Sequence, residues 1–378
     1  AFGGLNSGTP IATFSGDLMF EAQATSSHAD QMAWSKVSNT TPGTIASGGT
    51  TQIASISAMV VYNGSVYAGT YRDAAGSAEI YRYEGYNSTW TKVSNATAGM
   101  INGSTTGIAS VSAMTVFDGR LYAGTSKVNG AEIYRYEEGT NWTKVSNPTA
   151  GTIGAATNQD GVASLAVYQG RLYAGTREPA GARLIRWDGG LTWTAINGTA
   201  GTFITTNTAA VNAITAMASM NGALYLGLSK PGDADVVKYT GAATFLALNA
   251  ASATGSYTIN GTAVTTFDEV TALTIYNGNL VLGMQKNNGG EVLVASPQVG
   301  ETGINTFTRL NNVAGQMTNG GTSAIDQVGS LAVYNGMLYV STSENNGGEI
   351  YRYTGGDQKF LRVSAGAGQI ASGGTSAI

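Results

Sequence analysis

The chain has 378 residues, of which 11% are charged, and 19 Lys and Arg against 23 Asp and Glu give a formal net charge of −4. That balance lacks the basic face of a nucleic-acid binder, and the absence of cysteine excludes disulfides, thiolate metal sites and cysteine nucleophiles. No apolar run approaches the roughly 18 residues of a membrane helix, whereas 42% hydrophobic content suits a folded chain better than a disordered one. No leader pattern opens the chain. A start at Ala1 fits a trimmed initiator, a removed leader or a cut from something longer.

One pattern recurs along the chain. An aromatic or apolar residue, a turn residue and a glycine stand at Phe14-Ser15-Gly16, Tyr62-Asn63-Gly64, Phe117-Asp118-Gly119, Tyr168-Gln169-Gly170, Met220-Asn221-Gly222, Tyr276-Asn277-Gly278 and Tyr334-Asn335-Gly336. Pairs such as Asn-Gly favour type I′ hairpins, whose central residues both need positive φ. Before each turn runs an apolar stretch such as Ala58-Met59-Val60-Val61-Tyr62, expected as an inner strand buried on both faces. A second strand follows, as in Leu121-Tyr122-Ala123-Gly124-Thr125. Its glycine recurs at 69, 175, 227 and 283, where a crowded position would refuse a Cβ. Third strands are expected at segments such as Glu132-Ile133-Tyr134-Arg135-Tyr136. Fourth strands begin near Trp34, Trp90, Trp142, Trp193, Phe245, Phe307 and Phe360. In the first repeat the turn and Trp34 lie closer together than elsewhere, so its third strand is expected to be short or distorted.

The connectors repeat as well. Asn39-Thr-Thr-Pro-Gly-Thr-Ile45 returns in variants ending at Ile101, Ile153 and Phe203, and more loosely at Tyr257, Met317 and Ile370. An apolar anchor within a polar loop suggests a packed Ω-type connector. The last residues, Ala371 to Ile378, match the connector that leads into the second repeat, so the ends are expected to meet between repeats 7 and 1. Four short strands repeated radially predict an all-β fold: a single seven-bladed β-propeller over residues 1–378, with four antiparallel strands per blade and an irregular blade 1.

Asp188-Gly189-Gly190-Leu191-Thr192-Trp193 resembles the Asp-box hairpin of sialidase-like propellers, with Arg186 where that motif has Ser. The resemblance implies the fold and a structural hairpin away from any catalytic face. The whole repeat unit is also similar to propeller repeats of phage tail or virion proteins and of bacterial surface proteins.

Catalytic candidates are few. His28, the single histidine, lies in the polar loop Ser26-Ser27-His28-Ala29-Asp30 and reads as solvated. A sialidase-type site would need three arginines around a carboxylate. Arg72 and Arg177 follow the second strand of blades 2 and 4, and no third arginine joins them. Arg82, Arg135 and Arg352 share one slot in different blades, which marks scaffold. Three residues beyond the strand-two glycine stand Arg72, Lys127, Glu178, Lys230, Lys286 and Glu344, with Ala24 in blade 1. They are expected to ring one face, either as a solvated rim or as a polar binding face joined by Tyr71 and by the Asn-rich loops at 287–288 and 345–346. Glu21 and Ser341 replace the strand-two glycine in the adjoining blades 1 and 7, and Glu21 is a further binding candidate. The eight Asn-x-Ser/Thr sequons are those expected by chance in so Asn- and Thr-rich a chain.

No cofactor or metal is implied. The near-regular repeat, scarce charge and lack of a catalytic constellation suggest a non-catalytic structural or adhesive propeller, and the resemblance to virion and surface-protein repeats implies a place on a virion or cell surface, binding a glycan or protein receptor. The alternatives are a sialidase-like glycan-processing enzyme and a structural subunit packed against its neighbours in a larger particle or filament.

Overall fold

A computed structural model of the protein describes residues 19–22, 33–72, 76–85, 89–204, 210–241, 244–249, 256–264, 267–295, 306–344, 347–355 and 359–370. Every regular element among these residues is a β-strand. In repeat 3 the inner strand Ser110–Phe117 pairs antiparallel with Arg120–Ser126, which pairs with Ile133–Glu138, which pairs with Asn141–Lys144. The same succession runs through residues 55–92, 161–195, 213–247, 269–309 and 327–362, numbered below as repeats 2 and 4 to 7.

The hairpin turns have the expected backbone: Asn63, Asp118, Gln169, Asn221, Asn277 and Asn335 all have φ between 47° and 49°, and each following glycine is positive too. The strand-two glycines are crowded as their recurrence suggests. A Cβ on Gly69 would lie 2.7 Å from the Cβ of Val111, and one on Gly124 would lie 2.5 Å from Cγ1 of Val162. Gly175, Gly227 and Gly283 face Ile214, Val270 and Val328 in the same way. Repeats 2 to 6 thus each approach the next by setting bare backbone against a β-branched side chain. The connector anchors Ile45, Ile101, Ile153, Phe203, Tyr257, Met317 and Ile370 are all buried.

Two polar columns complete the scaffold. After the fourth strand, Ser94, Ser146, Asn197, Asn249, Asn311 and Ser364 each accept a hydrogen bond from the N–H at the start of the third strand. This use accounts for the sequon at Asn197, which is buried and spends its amide on Leu184, Ala182 and Thr199. Just before the third strand stand the buried acids Glu79, Glu132, Asp235, Glu291 and Glu349. A buried carboxylate is costly unless paired. Lys92, Lys144, Arg309 and Arg362 from the fourth strands meet four of them, and Asn249 bonds Asp235. Tyr81, Tyr134 and Tyr351 donate their hydroxyls to Glu79, Glu132 and Glu349. Repeat 4 inverts the arrangement, with Arg183 donating to the carbonyls of Asn197 and Gly198.

Two regions depart from the expected pattern. In repeat 1, Met19–Ala22 pairs directly with Ala33–Lys36, placing Glu21 opposite Trp34. The segment that resembles a fourth strand therefore lies against the one that resembles a second. Residues 23–32, where the distorted third strand was expected, lie outside the described residues. Between repeats 5 and 6 the connector is no simple loop. Tyr257–Ile259 and Thr262–Val264 form a hairpin whose first strand pairs in parallel with Thr306–Arg309. The outer edge of repeat 6 is thereby covered, which removes an unpaired strand edge.

Candidate functional site

The six inner strands, Ser55–Tyr62, Ser110–Phe117, Gly161–Tyr168, Ala213–Met220, Glu269–Tyr276 and Gln327–Tyr334, enclose a cavity of about 160 Å³. Each carries a register shift after its second residue, so the third residue bulges toward this space. At the bulge, Ser57, Ser112 and Thr215 donate their hydroxyls to the carbonyls of Val111, Val162 and Val270 in the next repeat, at 2.8, 2.8 and 2.6 Å. Thr271 bonds Val328 likewise at 2.5 Å. Repeat 4 has Ala163 at the bulge, and the adjacent Ser164 makes the equivalent bond to Ile214 at 2.6 Å. These hydroxyls tie neighbouring repeats together and line the cavity. Sequence reasoning passed over them because isolated Ser and Thr are commonplace. The constant offset of Ser57, Ser112, Thr215 and Thr271 from the turn glycine was the available clue.

The lining residues lie two to four places into the inner strands, near the end of the sheets where inner strands begin and second strands finish, called the mouth below. Backbone pairing across that mouth joins Tyr71 to Ser110, Ser126 to Gly161, Arg177 to Ala213, Ser229 to Glu269 and Gln285 to Gln327. This row of mostly small or neutral residues holds two charges, Arg177 and Glu269. Arg177 is exposed, and among the described residues none hydrogen-bonds its guanidinium. Glu269 accepts the Ser229 hydroxyl at 3.1 Å. Its carboxyl pKa is raised, chiefly by burial and further by Asp268, against the opposing influence of the Arg177 charge and the Ser229 bond. Glu269 was not a sequence candidate. The sign that could have found it is its departure from Ser55, Ser110, Gly161 and Ala213 at the same strand position.

A raised carboxyl pKa means that ionised Glu269 costs more in the folded chain than in the unfolded one. That cost is absent below the unfolded pKa of about 4.3 and fully present above the folded one. Glu269→Gln is therefore expected to raise the thermal midpoint at about pH 7.5 and to match the parent by about pH 4. Melting curves at the two pH values check this. A lower midpoint at neutral pH would show that the carboxylate is a net stabiliser.

The expected rim residues hold equivalent places. The backbone N–H groups of Arg72, Lys127, Glu178, Lys230 and Lys286 bond to Ala109, Asp160, Asn212, Asp268 and Asp326, each just before the next inner strand. Their side chains differ. Arg72 bonds Gln52 at 2.9 Å, and Lys127 reaches the Thr106 carbonyl at 2.7 Å. Lys230 is buried and paired with Asp233. Lys286 stands 6.0 Å over the Phe267 ring. Glu178 caps the Ala180 N–H with one carboxylate oxygen, while the other is buried without a partner. Burial, then the charges of Glu349 and Asp326, raise the Glu344 carboxyl. Tyr71 belongs to the mouth row. The side chain of Glu21, and Ala24, His28 and the loop at 345–346, lie outside the described residues.

The strand-three arginines are occupied. Arg82, Arg135 and Arg186 pair with Glu84, Glu137 and Asp188, and Arg352 is buried. In the Asp-box-like hairpin, Arg186 and the Thr194 hydroxyl both bond Asp188 and hold its carboxyl below the usual range. Among the described residues no three His, Cys, Asp or Glu side chains are grouped to hold a metal ion.

No protein-family model and no curated protein matches the chain. Its fold is similar to that of the GH74 xyloglucanase from Xanthomonas campestris, with a TM-score of 0.53 and 16% identity over 82% of this chain and 45% of that one. The chain thus spans less than half the length of that enzyme. It is also similar to a quinonprotein alcohol dehydrogenase-like protein from Bacteroides thetaiotaomicron, with a TM-score of 0.52 and 12% identity over 93% of this chain and 76% of that one. A fungal lectin from Aleuria aurantia, described as a six-bladed β-propeller that recognises fucose, aligns over 84% of this chain and 95% of its own with a TM-score of 0.44 and 14% identity. At these identities the likeness to the xyloglucanase and to the dehydrogenase-like protein speaks to fold alone. The described residues are all-β and form β-propeller repeats.

Proposed function

We propose that the chain is a seven-bladed β-propeller, four antiparallel strands to a blade, that acts as a non-catalytic structural and adhesive module on the outside of a virion or cell. Its receptor, a glycan or a protein, would dock on the face around the cavity mouth. The observation that carries this reading is the division of charge. The acids before the third strand and the arginines within it are buried, paired or hydrogen-bonded in the scaffold, whereas Arg177 and Glu269, which break the repeat, lie three strands apart in one row at the mouth.

Two features support the count of seven. Trp90, Trp142 and Trp193 each donate an indole N–H to a valine carbonyl of the preceding repeat, and Trp34 donates in the same way to Val363, joining repeat 7 to repeat 1. Counting back from Phe14 as from the other turn aromatics, Gly8 stands where Val111 and Val162 stand in their repeats. Ser341 replaces the strand-two glycine in repeat 7, so at the two positions of this pair the sequence exchanges the bulkier and barer members.

A glycan array tests the adhesive reading. Binding that weakens on Arg72→Ala and Lys127→Ala supports it. Release of sugar from any arrayed glycan would overturn the non-catalytic reading in favour of a glycan-processing enzyme. Absence of binding, with self-association in sedimentation, would replace it with a subunit of a larger particle.

A further inference from the structure

Resting on the glycan-binding reading, we propose that the mouth between repeats 4 and 6 takes an acidic sugar, with Arg177 holding its carboxylate and Glu269 accepting its hydroxyls. Arg177 ends the strand Arg171–Arg177, and its equivalents are Tyr71, Ser126, Ser229, Gln285 and Ser343. It is therefore the cation of a row otherwise built from neutral side chains on these strands. Its backbone partners on either side are Gly161 and Ala213, the two smallest residues of the mouth. A Cβ added to Gly161 would come within 3.4 Å of the Arg177 Cβ and 2.6 Å of the Ser126 hydroxyl. Small residues thus flank Arg177 on both sides, a notch in the row, and the arginine is exposed with no hydrogen-bonding neighbour for its guanidinium among the described residues.

A free planar guanidinium favours a carboxylate, which it can meet with two parallel bonds. Glu269 lies three strand spacings farther along the row, roughly 14 Å between backbones, and its carboxyl still feels the Arg177 charge. With Ser229 already donating to it, the remaining capacity of this group is for donors. The ligand that meets both ends carries an anionic carboxylate at one side and hydroxyl groups at the other. A uronic-acid residue has that chemistry. A neutral sugar leaves the arginine unmet, and a simple anion leaves the glutamate unmet.

Amide chemical-shift titrations with free glucuronate, glucose and acetate test this. Glucuronate is expected to bind at least roughly tenfold more tightly than either of the others, because it alone offers a charge-assisted pair to Arg177 and hydroxyls to Glu269. Arg177→Gln is expected to remove that advantage, Arg177→Lys to restore part of it, and Gly161→Ala to weaken binding by filling the notch. A thermal midpoint unchanged in Arg177→Gln separates lost binding from lost folding. Equal binding of glucuronate and glucose, or retention by Arg177→Gln, overturns the proposal. Equal binding of glucuronate and acetate reduces the notch to an anion site and also overturns it. If neutral glycans bind the array while glucuronate does not bind the protein, the acidic-sugar inference fails alone. If nothing binds in either experiment, the adhesive reading fails with it.

Discussion

Glu132→Ala is expected to cost about 3–5 kcal/mol of stability, the usual penalty for removing one partner of a buried ion pair. The Glu132 side chain is 1% exposed and that of Lys144 16%, so little water can replace the lost contact. The carboxylate accepts from Lys144 at 2.7 Å, from Thr105 at 2.9 Å and from the Tyr134 hydroxyl. Truncation strands three donors at once and opens a void. Chemical denaturation of Glu132→Ala, Lys144→Met and the double variant separates the terms. The double variant should be less damaged than the sum of the singles, because it removes the stranded charge along with its partner. Arg82→Gln is the contrast. It breaks a pair whose side chains are 34% and 25% exposed, and is expected to cost less than about 1 kcal/mol.

Gly124→Ala is the second large effect, at about 1–3 kcal/mol. The new methyl would sit 2.5 Å from Cγ1 and 2.7 Å from Cβ of Val162, a stiff β-branched side chain on an inner strand. Val162→Ala in the same chain should recover part of the loss. Gly198→Ala serves as the control, since a Cβ there meets nothing within 4 Å. Thermal midpoints of the four proteins check both statements. A neutral Gly124→Ala would mean that the repeats are not packed as closely as Gly69, Gly124 and Val162 imply.

The strands, turns and connector anchors were legible because each rests on a local rule that repeats. Asn63-Gly64 needs only its own backbone to specify a turn, and Ile101 is apolar inside an otherwise polar loop. The polar scaffold was less legible. Glu132 and Glu137 are the same letter five residues apart, yet one is sealed beneath Lys144 and the other stands at the surface beside Arg135. The difference arises from which side of the sheet each faces and what the fourth strand brings over it. The candidate site divides in the same way. Arg177 drew notice as a charge after a strand, but Glu269 became part of the site only through pairing with Ser229 across the boundary between repeats. The rim residue Lys230, equivalent by position to Lys127, proved to be an internal partner of Asp233. Position in the repeat fixed where each backbone went. It did not fix what each side chain met there.

On the proposed reading, recurring charges hold the repeats together and repeat-breaking charges serve the ligand. One paired measurement on Glu132→Gln and Arg177→Gln tests it most directly, following the thermal midpoint and glucuronate binding of each below its own unfolding transition. The expected result is a lowered midpoint with binding kept for Glu132→Gln, and a kept midpoint with binding lost for Arg177→Gln. The reverse pattern, or binding lost equally in both, would contradict it.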